Sequence, residues 1–289
     1  MKILIIGSGG RLGTALVRRY QEAHEVRGFS HAQIDLGDFD EVEQMLTPLS
    51  FDVMINCAAM TNVDLCEEQR DEAFRINASA PELLAQIAED KGARFIHFST
   101  DYVFDGQKRK PYVEEDEPIP LSVYGESKRE GEENVLNSNE GHLVVRVSWV
   151  FGPERPSFVD NMIQRARTHD KVEAVMDKFS TPTYTKDIAA MLPHFFEADV
   201  GGILHFANAG GCSWQQYAQH ALDCCQAAGV PMKALTVEPL RLVDMQSFVA
   251  ARPAYTVLST DRFTALAGQA PRSWRDAVAE YVKDSYSKK

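Results

Sequence analysis

The 289-residue chain has no apolar run near the roughly 20 residues that a membrane-spanning helix needs. Its first hydrophobic stretch, residues 3–6, is too short for a secretion signal and stops at glycine. It reads as a strand, and the expected compartment is the cytoplasm. Positive charge is also in deficit: the net charge of −12 argues against a general nucleic-acid surface. An anionic substrate must then be held by local cations. Cysteine is sparse and unpaired in pattern. The five cysteines, at positions 57, 66, 212, 224 and 225, form no C-x-x-C and no zinc spacing with histidine. Reduced structural thiols are expected, with adjacent Cys224 and Cys225 as two positions on a helix. No linker, repeat or low-complexity segment divides the chain.

What is present is a succession of short apolar runs and amphipathic stretches. Lys2–Ile6 is bounded by glycine, as in a strand buried on both faces. Gly7-Ser8-Gly9-Gly10-Arg11-Leu12-Gly13 follows, then helical periodicity to Tyr20. In such a turn Gly7 permits the tight bend, Gly10 lets backbone approach a pyrophosphate, and Gly13 lets helix and strand pack closely. The helix N-terminus then offers free N–H groups to phosphates. The strand Glu25–Phe29 ends at Ser30 and His31, where an NAD site would carry an acid. Arg11 is either a solvated helix residue or a cation for a 2′-phosphate, which favours NADPH with NADH as the other choice. Asp35 and Leu36, a helix over 38–46 and a strand over 52–56 come next. The small residues Cys57, Ala58 and Ala59 allow close approach of a cofactor, with Thr61 and Asn56 to orient it. Residues 71–91 read as a helix, kinked or restarting near Ser79 because of Pro81. Asn77 within it is either a helix polar residue or a buried link between active-site loops. Strands over 94–98 and 142–148 and a helix over 124–136 complete five βα repeats, which predict a doubly wound parallel sheet. The loop 107–120, charged and proline-rich, is expected to be mobile. The less regular remainder holds helices over 158–167, 187–197, 214–228 (capped by Ser213) and 274–283 (begun by Ser273), and short strands over 171–175 and 202–207.

The chemistry concentrates between His97 and Lys128. An apolar strand delivers Ser99 and Thr100, and Tyr124 and Lys128 stand at i and i+4 on one helix face. A strand-end hydroxyl can hold a carbonyl in line with a phenol. An ammonium beside the phenol favours the phenolate and is expected to lower its pKa. Such a set suits ketone reduction or alcohol oxidation beside a hydride carrier. His97 itself reads as a core histidine, and the acidic turn Asp64–Glu68 as a solvated helix start.

These segments resemble the extended short-chain dehydrogenase/reductases and, more closely, the dTDP-4-dehydrorhamnose reductase family. The likeness is carried by Asn56 to Asp64, Ser99 to Gly106, Val123 to Lys128, Arg146 to Gly152, Thr181 to Tyr184, Cys212 to Trp214 and Arg252-Pro253. The resemblance implies a Rossmann domain over 1–152, plus returning segments, and a mainly substrate-binding lid over 153–289. It implies reduction of the 4-keto group of a dTDP-activated 6-deoxyhexose by NAD(P)H. The role of the strand-end threonine falls on Thr100, the proton donor on Tyr124, and the lysine that also holds the nicotinamide ribose on Lys128. Trp149 would line the sugar site. Expected cofactor contacts are Gly7, Gly10, Arg11, Leu12, Gly13, Ser30, Asp35, Leu36, Cys57, Ala58, Ala59, Thr61, Asn77 and Ser99, with Tyr124 and Lys128. Expected substrate contacts are Thr100, Asp101, Trp149 and Arg252. No ligand set calls for a metal, and the resemblance allows a homodimer. Ala254-Tyr255-Thr256-Val257 departs from the family pattern after Arg252-Pro253. Two rivals share the frame. An epimerase or dehydratase of nucleotide sugars is one, although Thr100 is followed by Asp101-Tyr102 without the glutamate a dehydratase wants. A non-catalytic NADP-binding regulatory subunit, like that of methionine adenosyltransferase, is the other.

Overall fold

The computed structural model describes residues 1–287. The N-terminal half alternates strictly. It runs β1 (Lys2–Ile6), α1 (Arg11–Tyr20), β2 (Glu25–Phe29), α2 (Phe39–Leu46), β3 (Val53–Asn56), α3 (Val63–Glu68), α4 (Arg70–Phe74), a π turn (Arg75–Ser79), α5 (Ala80–Asp90), β4 (Arg94–Thr100), α6 (Val123–Ser138) and β5 (Leu143–Val147). Among the described residues the main sheet has six strands, in the order Gly202–His205, β5, β4, β3, β1, β2. Every pairing in it is parallel. The order reverses between β1 and β3, which opens a crevice at their carboxyl ends.

Alternation along each strand builds the two cores. Ile3 and Ile5 face α1 and the 188–196 segment, together with Val53, Ile55, Ile96 and Phe98. Leu4 and Ile6 face α2 and α5 on the other side, with Met54, Phe95 and Val144. Both faces of the inner strands are covered, which is why Lys2–Ile6 and Val53–Asn56 are mostly apolar. Each such side chain contributes about 1.5–3 kcal/mol by its burial.

The later chain forms its own aromatic core, in which Phe151, Tyr184, Tyr217, Trp274 and Tyr281 pack between the helices Phe158–Thr168, Trp214–Ala227 and Trp274–Tyr286. Ser213 caps the second of these through the Gln216 amide, and Gln216 returns a bond to the Ser213 amide. Part of this chain goes back to the first core: Gly202–His205 extends the main sheet beyond β5.

The 71–91 stretch restarts as a helix at Ala80, next to Ser79 as expected, behind a π turn whose extra residue lets Asn77 point inward. Two expectations change. The helix expected over 187–197 is Thr185–Met191 followed by a 3₁₀ turn, Leu192–Phe195, where Pro193 cannot donate. The 107–120 loop is fastened rather than free. The Tyr112 amide donates to the Val257 carbonyl at 2.8 Å, and the Ser259 amide to the Tyr112 carbonyl at 2.7 Å. Its charged, proline-rich composition concealed the buried Tyr112, stacked on Phe104.

Candidate active site

The glycine loop closes the end of β1. Gly7 has φ +81°, and a Cβ there would lie 2.7 Å from the Ala58 amide nitrogen. A Cβ on Gly13 would lie 2.2 Å from the Gly7 carbonyl oxygen. The loop therefore presses against the Cys57–Ala58 turn after β3 and against its own helix, and any side chain would force the three apart. Gly10 caps α1 without a side-chain bond, leaving the first amides of the helix free for an anion. Leu12 packs its side chain against the first core.

Arg11 does not reach toward Ser30. Its guanidinium donates to the carbonyls of Arg155 at 3.2 Å, Val150 at 3.1 Å and Pro156 at 2.6 Å. It thus ties the glycine loop to the chain beyond β5. Arg155 instead brings its guanidinium to the outer side of the loop, 3.9 Å from the Cβ position of Gly9. Ser30 lies alongside, its amide and hydroxyl both bonded to Gln33 Oε1. Asp35 accepts from the Gly37 amide at 2.8 Å, and Leu36 is buried in the second core.

Across the crevice, β4 and α6 bring Ser99, Thr100, Tyr124 and Lys128 together, all but buried. Ser122 caps α6 through the Gly125 amide and so fixes where Tyr124 enters the helix. Burial pushes the Tyr124 phenol's pKa up, and the nearby Thr100 hydroxyl only partly pulls it back. This reverses the expected lowering by Lys128. Lys128 Nζ lies 3.0 Å from His97 Nε2 and donates to the Phe98 carbonyl at 2.8 Å, and burial draws its pKa down to about 8. The phenol is therefore held neutral, the form that gives up a proton.

Behind this set lies a polar lattice, of which Arg146 and Glu132 were not singled out by patterning. His97 Nδ1 is 3.1 Å from Asn56 Nδ2, and Asn56 Oδ1 accepts from the Ala58 amide at 3.0 Å. The Ser99 hydroxyl donates to Glu132, which Arg146 grips with Nε at 2.9 Å and Nη2 at 2.6 Å. Ser99 is thus spent on a buried ion pair instead of standing open to a cofactor. Glu132 had a signal, one turn beyond Lys128 on the same face. Asn77 takes the buried-link reading: its Oδ1 accepts from the Met60 amide at 2.8 Å, and its Nδ2 donates to the Met60 carbonyl at 3.0 Å and to Ser127 Oγ at 3.1 Å. It locks the 57–60 turn to α6. Thr61, by contrast, is exposed beyond that turn, and Ala59 is half-buried within it.

Two expected substrate contacts are otherwise engaged. Asp101 is buried and accepts from Ser180 at 2.8 Å and from Thr256. Burial raises its pKa, and buried Lys178 draws it back. Lys178 gave no sequence signal; it donates to the Pro253 carbonyl at 2.6 Å and lies over the Tyr102 ring. Arg252 forms a two-pronged pair with Asp64 at 3.0 and 2.8 Å, stacked 4.0 Å from the Phe248 ring centre. Asp64 also accepts from the Val249 and Ala250 amides. The acidic turn read as solvated is thus a clasp for a distant loop. Trp149 is the one non-glycine residue with positive φ, at 39°, among the described residues. Its ring packs against Trp214 and Tyr217, and its buried indole nitrogen has no hydrogen-bond partner among the described residues. No group of three or more metal-competent side chains occurs among the described residues, and no helix there is long and apolar enough to cross a membrane.

Comparison with known proteins meets this geometry from outside. The family profile described as RmlD substrate binding domain matches residues 1–287. The spore coat polysaccharide biosynthesis protein SpsK of Bacillus subtilis is 35% identical, over 99% of this chain and 98% of that protein. The dTDP-4-dehydrorhamnose reductase of Mycobacterium tuberculosis is 37% identical, over 96% of this chain and 91% of that one. The crystal structure of dTDP-4-dehydrorhamnose reductase from Bacillus anthracis in complex with NADP superposes with a TM-score of 0.91 at 29% identity, covering 98% of this chain and 99% of that one. With a doubly wound sheet, a glycine loop at the end of its first strand, and Thr100, Tyr124 and Lys128 buried at the end of β4 and the start of α6, the chain belongs to the dTDP-4-dehydrorhamnose reductase family and is a nucleotide-sugar reductase, an NAD(P)-dependent oxidoreductase.

Proposed function

We propose that the protein reduces the 4-keto group of dTDP-4-dehydrorhamnose to give dTDP-L-rhamnose, with NADPH as donor. The observation that carries the reading is the buried Tyr124 phenol, held protonated beside Thr100 and opening on the same crevice as the glycine loop. The loop fits a dinucleotide: its glycines leave room that a Cβ would fill, and α1 begins with uncapped amides. Arg155 and Ser30 at its outer side, in the absence of an acid, support a 2′-phosphate and hence NADPH over NADH. A bound nicotinamide supplies the hydride.

The chain's own residues do the rest. Thr100 and Tyr124 hold the substrate carbonyl from one side, and the Trp149 indole offers a free N–H within the aromatic wall. When the carbonyl carbon gains the hydride, its oxygen becomes an alkoxide. Tyr124 gives that oxygen its proton, and the tyrosinate is then reprotonated from solvent. Lys128, one turn away, offers positive charge toward the tyrosinate. Residues after 152, apart from those that return to the main sheet, form the substrate side, where the Arg252–Asp64 clasp pins the 249–252 loop.

The test is NADPH oxidation with dTDP-4-dehydrorhamnose, in the native protein and in Tyr124→Phe. Rapid oxidation that the variant loses, while still binding NADPH, is the expected result; normal turnover by Tyr124→Phe sinks the mechanism. Reduction of another nucleotide keto-sugar is the second reading. It is favoured by Tyr255, which departs from the family pattern, packs against Phe179 and adjoins the Thr256 that holds Asp101. Silence with the rhamnose precursor and turnover with another keto-sugar would select it.

A further inference from the structure

The directions of the hydrogen bonds around Lys128 fix more than its position. Asn56 uses its carbonyl oxygen on the Ala58 amide, so its nitrogen is the end that faces His97 Nδ1. A carboxamide nitrogen only donates. Nδ1 must therefore accept, and the neutral imidazole carries its proton on Nε2. Nε2 lies 3.0 Å from Lys128 Nζ. An ammonium has no lone pair to receive that N–H. At this distance two donors would meet head to head between side chains that are both buried from solvent. An amine resolves the conflict: its lone pair takes the Nε2–H, and one of its hydrogens goes to the Phe98 carbonyl at 2.8 Å.

We infer that Asn56 and His97 form a clamp that favours the neutral amine of Lys128 over its ammonium in the cofactor-free enzyme, His97 acting as a positioning residue for the reduction rather than as core filling. The ionisable groups facing Lys128 are Cys57 from the end of β3, His97 from β4 and Glu132 from its own helix. Glu132 is already neutralised by Arg146 of β5, at 2.6 Å, and receives the Ser99 hydroxyl as well. Burial acts in the same sense as the clamp, lowering Lys128 to about 8 and holding His97 well below its ordinary value. The charged form of Lys128, the one that favours proton release by Tyr124, is therefore lost as pH rises, and earlier than for a free lysine.

Nitrogen-15 NMR of histidine-labelled, cofactor-free protein reads the tautomer directly. A bare Nδ1 and a protonated Nε2 at His97 are expected; the opposite tautomer overturns the inference. Asn56→Asp keeps an oxygen for the Ala58 amide but turns the other end into an acceptor. That draws the imidazole proton to Nδ1 and leaves Nε2 free to accept from an ammonium. The His97 spectrum then inverts, and the basic limb of kcat/KM against pH moves up by about one unit, which is about tenfold more retained activity on that limb. An inverted tautomer with an unmoved limb refutes the coupling. His97→Gln, whose amide oxygen accepts from an ammonium, is a second variant with the same expected direction. The pH profile rests on the reductase reading, but the tautomer spectrum needs no substrate, so the two ideas fail separately.

Discussion

Replacing Asn77 by alanine tests whether the π turn exists to place one side chain. The substitution removes three hydrogen bonds, two to Met60 and one to Ser127. Each is worth about 1 kcal/mol net, and a buried donor or acceptor left without a partner adds to the loss, so about 3 kcal/mol is expected. For a chain of this size that lowers Tm by about 6–10 °C. Ser127 also donates to the Tyr124 carbonyl at 3.0 Å, so the perturbation reaches both the 57–60 turn and the helix that carries the phenol. NADPH affinity should weaken as well. Asn77→Asp keeps the acceptor for the Met60 amide but sets a carboxylate oxygen against the Met60 carbonyl, and is expected to be at least as damaging at neutral pH. Calorimetry and NADPH titration of both variants decide it. A loss below about 0.5 kcal/mol for the alanine variant, the range of an ordinary surface change, would refute the reasoning.

Gly13→Ala sets a methyl 2.2 Å from the Gly7 carbonyl, a clash between backbone and Cβ that no rotamer relieves; NADPH affinity should fall by about tenfold or more with secondary structure retained, as fluorescence titration and circular dichroism will show. Pairing with Arg252 holds the Asp64 carboxyl below its ordinary range. Because the folded-state pKa is depressed, this clasp contributes fully above the unfolded value of about 3.9 and is lost as pH falls through the lower folded value. Hydrogen-exchange protection of the Val249 and Ala250 amides should therefore hold from neutral pH down to about 4 and decline below it. In Asp64→Asn it should be weak throughout, and equal protection in that variant at pH 6 would contradict the clasp.

The strands and the glycine loop were legible because burial on both faces and close backbone approach leave a local mark: apolar runs that end in glycine or small residues. Thr100, Tyr124 and Lys128 were legible because a helical spacing and a strand end carry them. What escaped detection lies between elements far apart in the chain. Arg11 looked like a phosphate cation because its neighbours in sequence are glycines, yet its acceptors are carbonyls of residues 150, 155 and 156. Asp101 and Lys178 meet across loops that no periodicity links, and Asp64 finds its partner at position 252. The sign of the Tyr124 shift was misjudged for a related reason: sequence shows that a lysine is near, but burial and the direction in which that lysine points decide which effect wins.

The placement of Gly202–His205 beside β5 makes the order of synthesis matter. As the ribosome delivers this chain, β1 to β5 can pair in sequence, but the outer edge of β5 stays open until residue 205 has emerged. An open apolar strand edge is a template for wrong partners. The strand is also pinned late: the Arg262 side chain, further still toward the end, donates to the carbonyls of Ile203 at 2.6 Å and Gly201 at 3.2 Å. A nascent or truncated chain that stops after β5 should therefore need a chaperone or aggregate, whereas one that extends past Arg262 can seal its own edge.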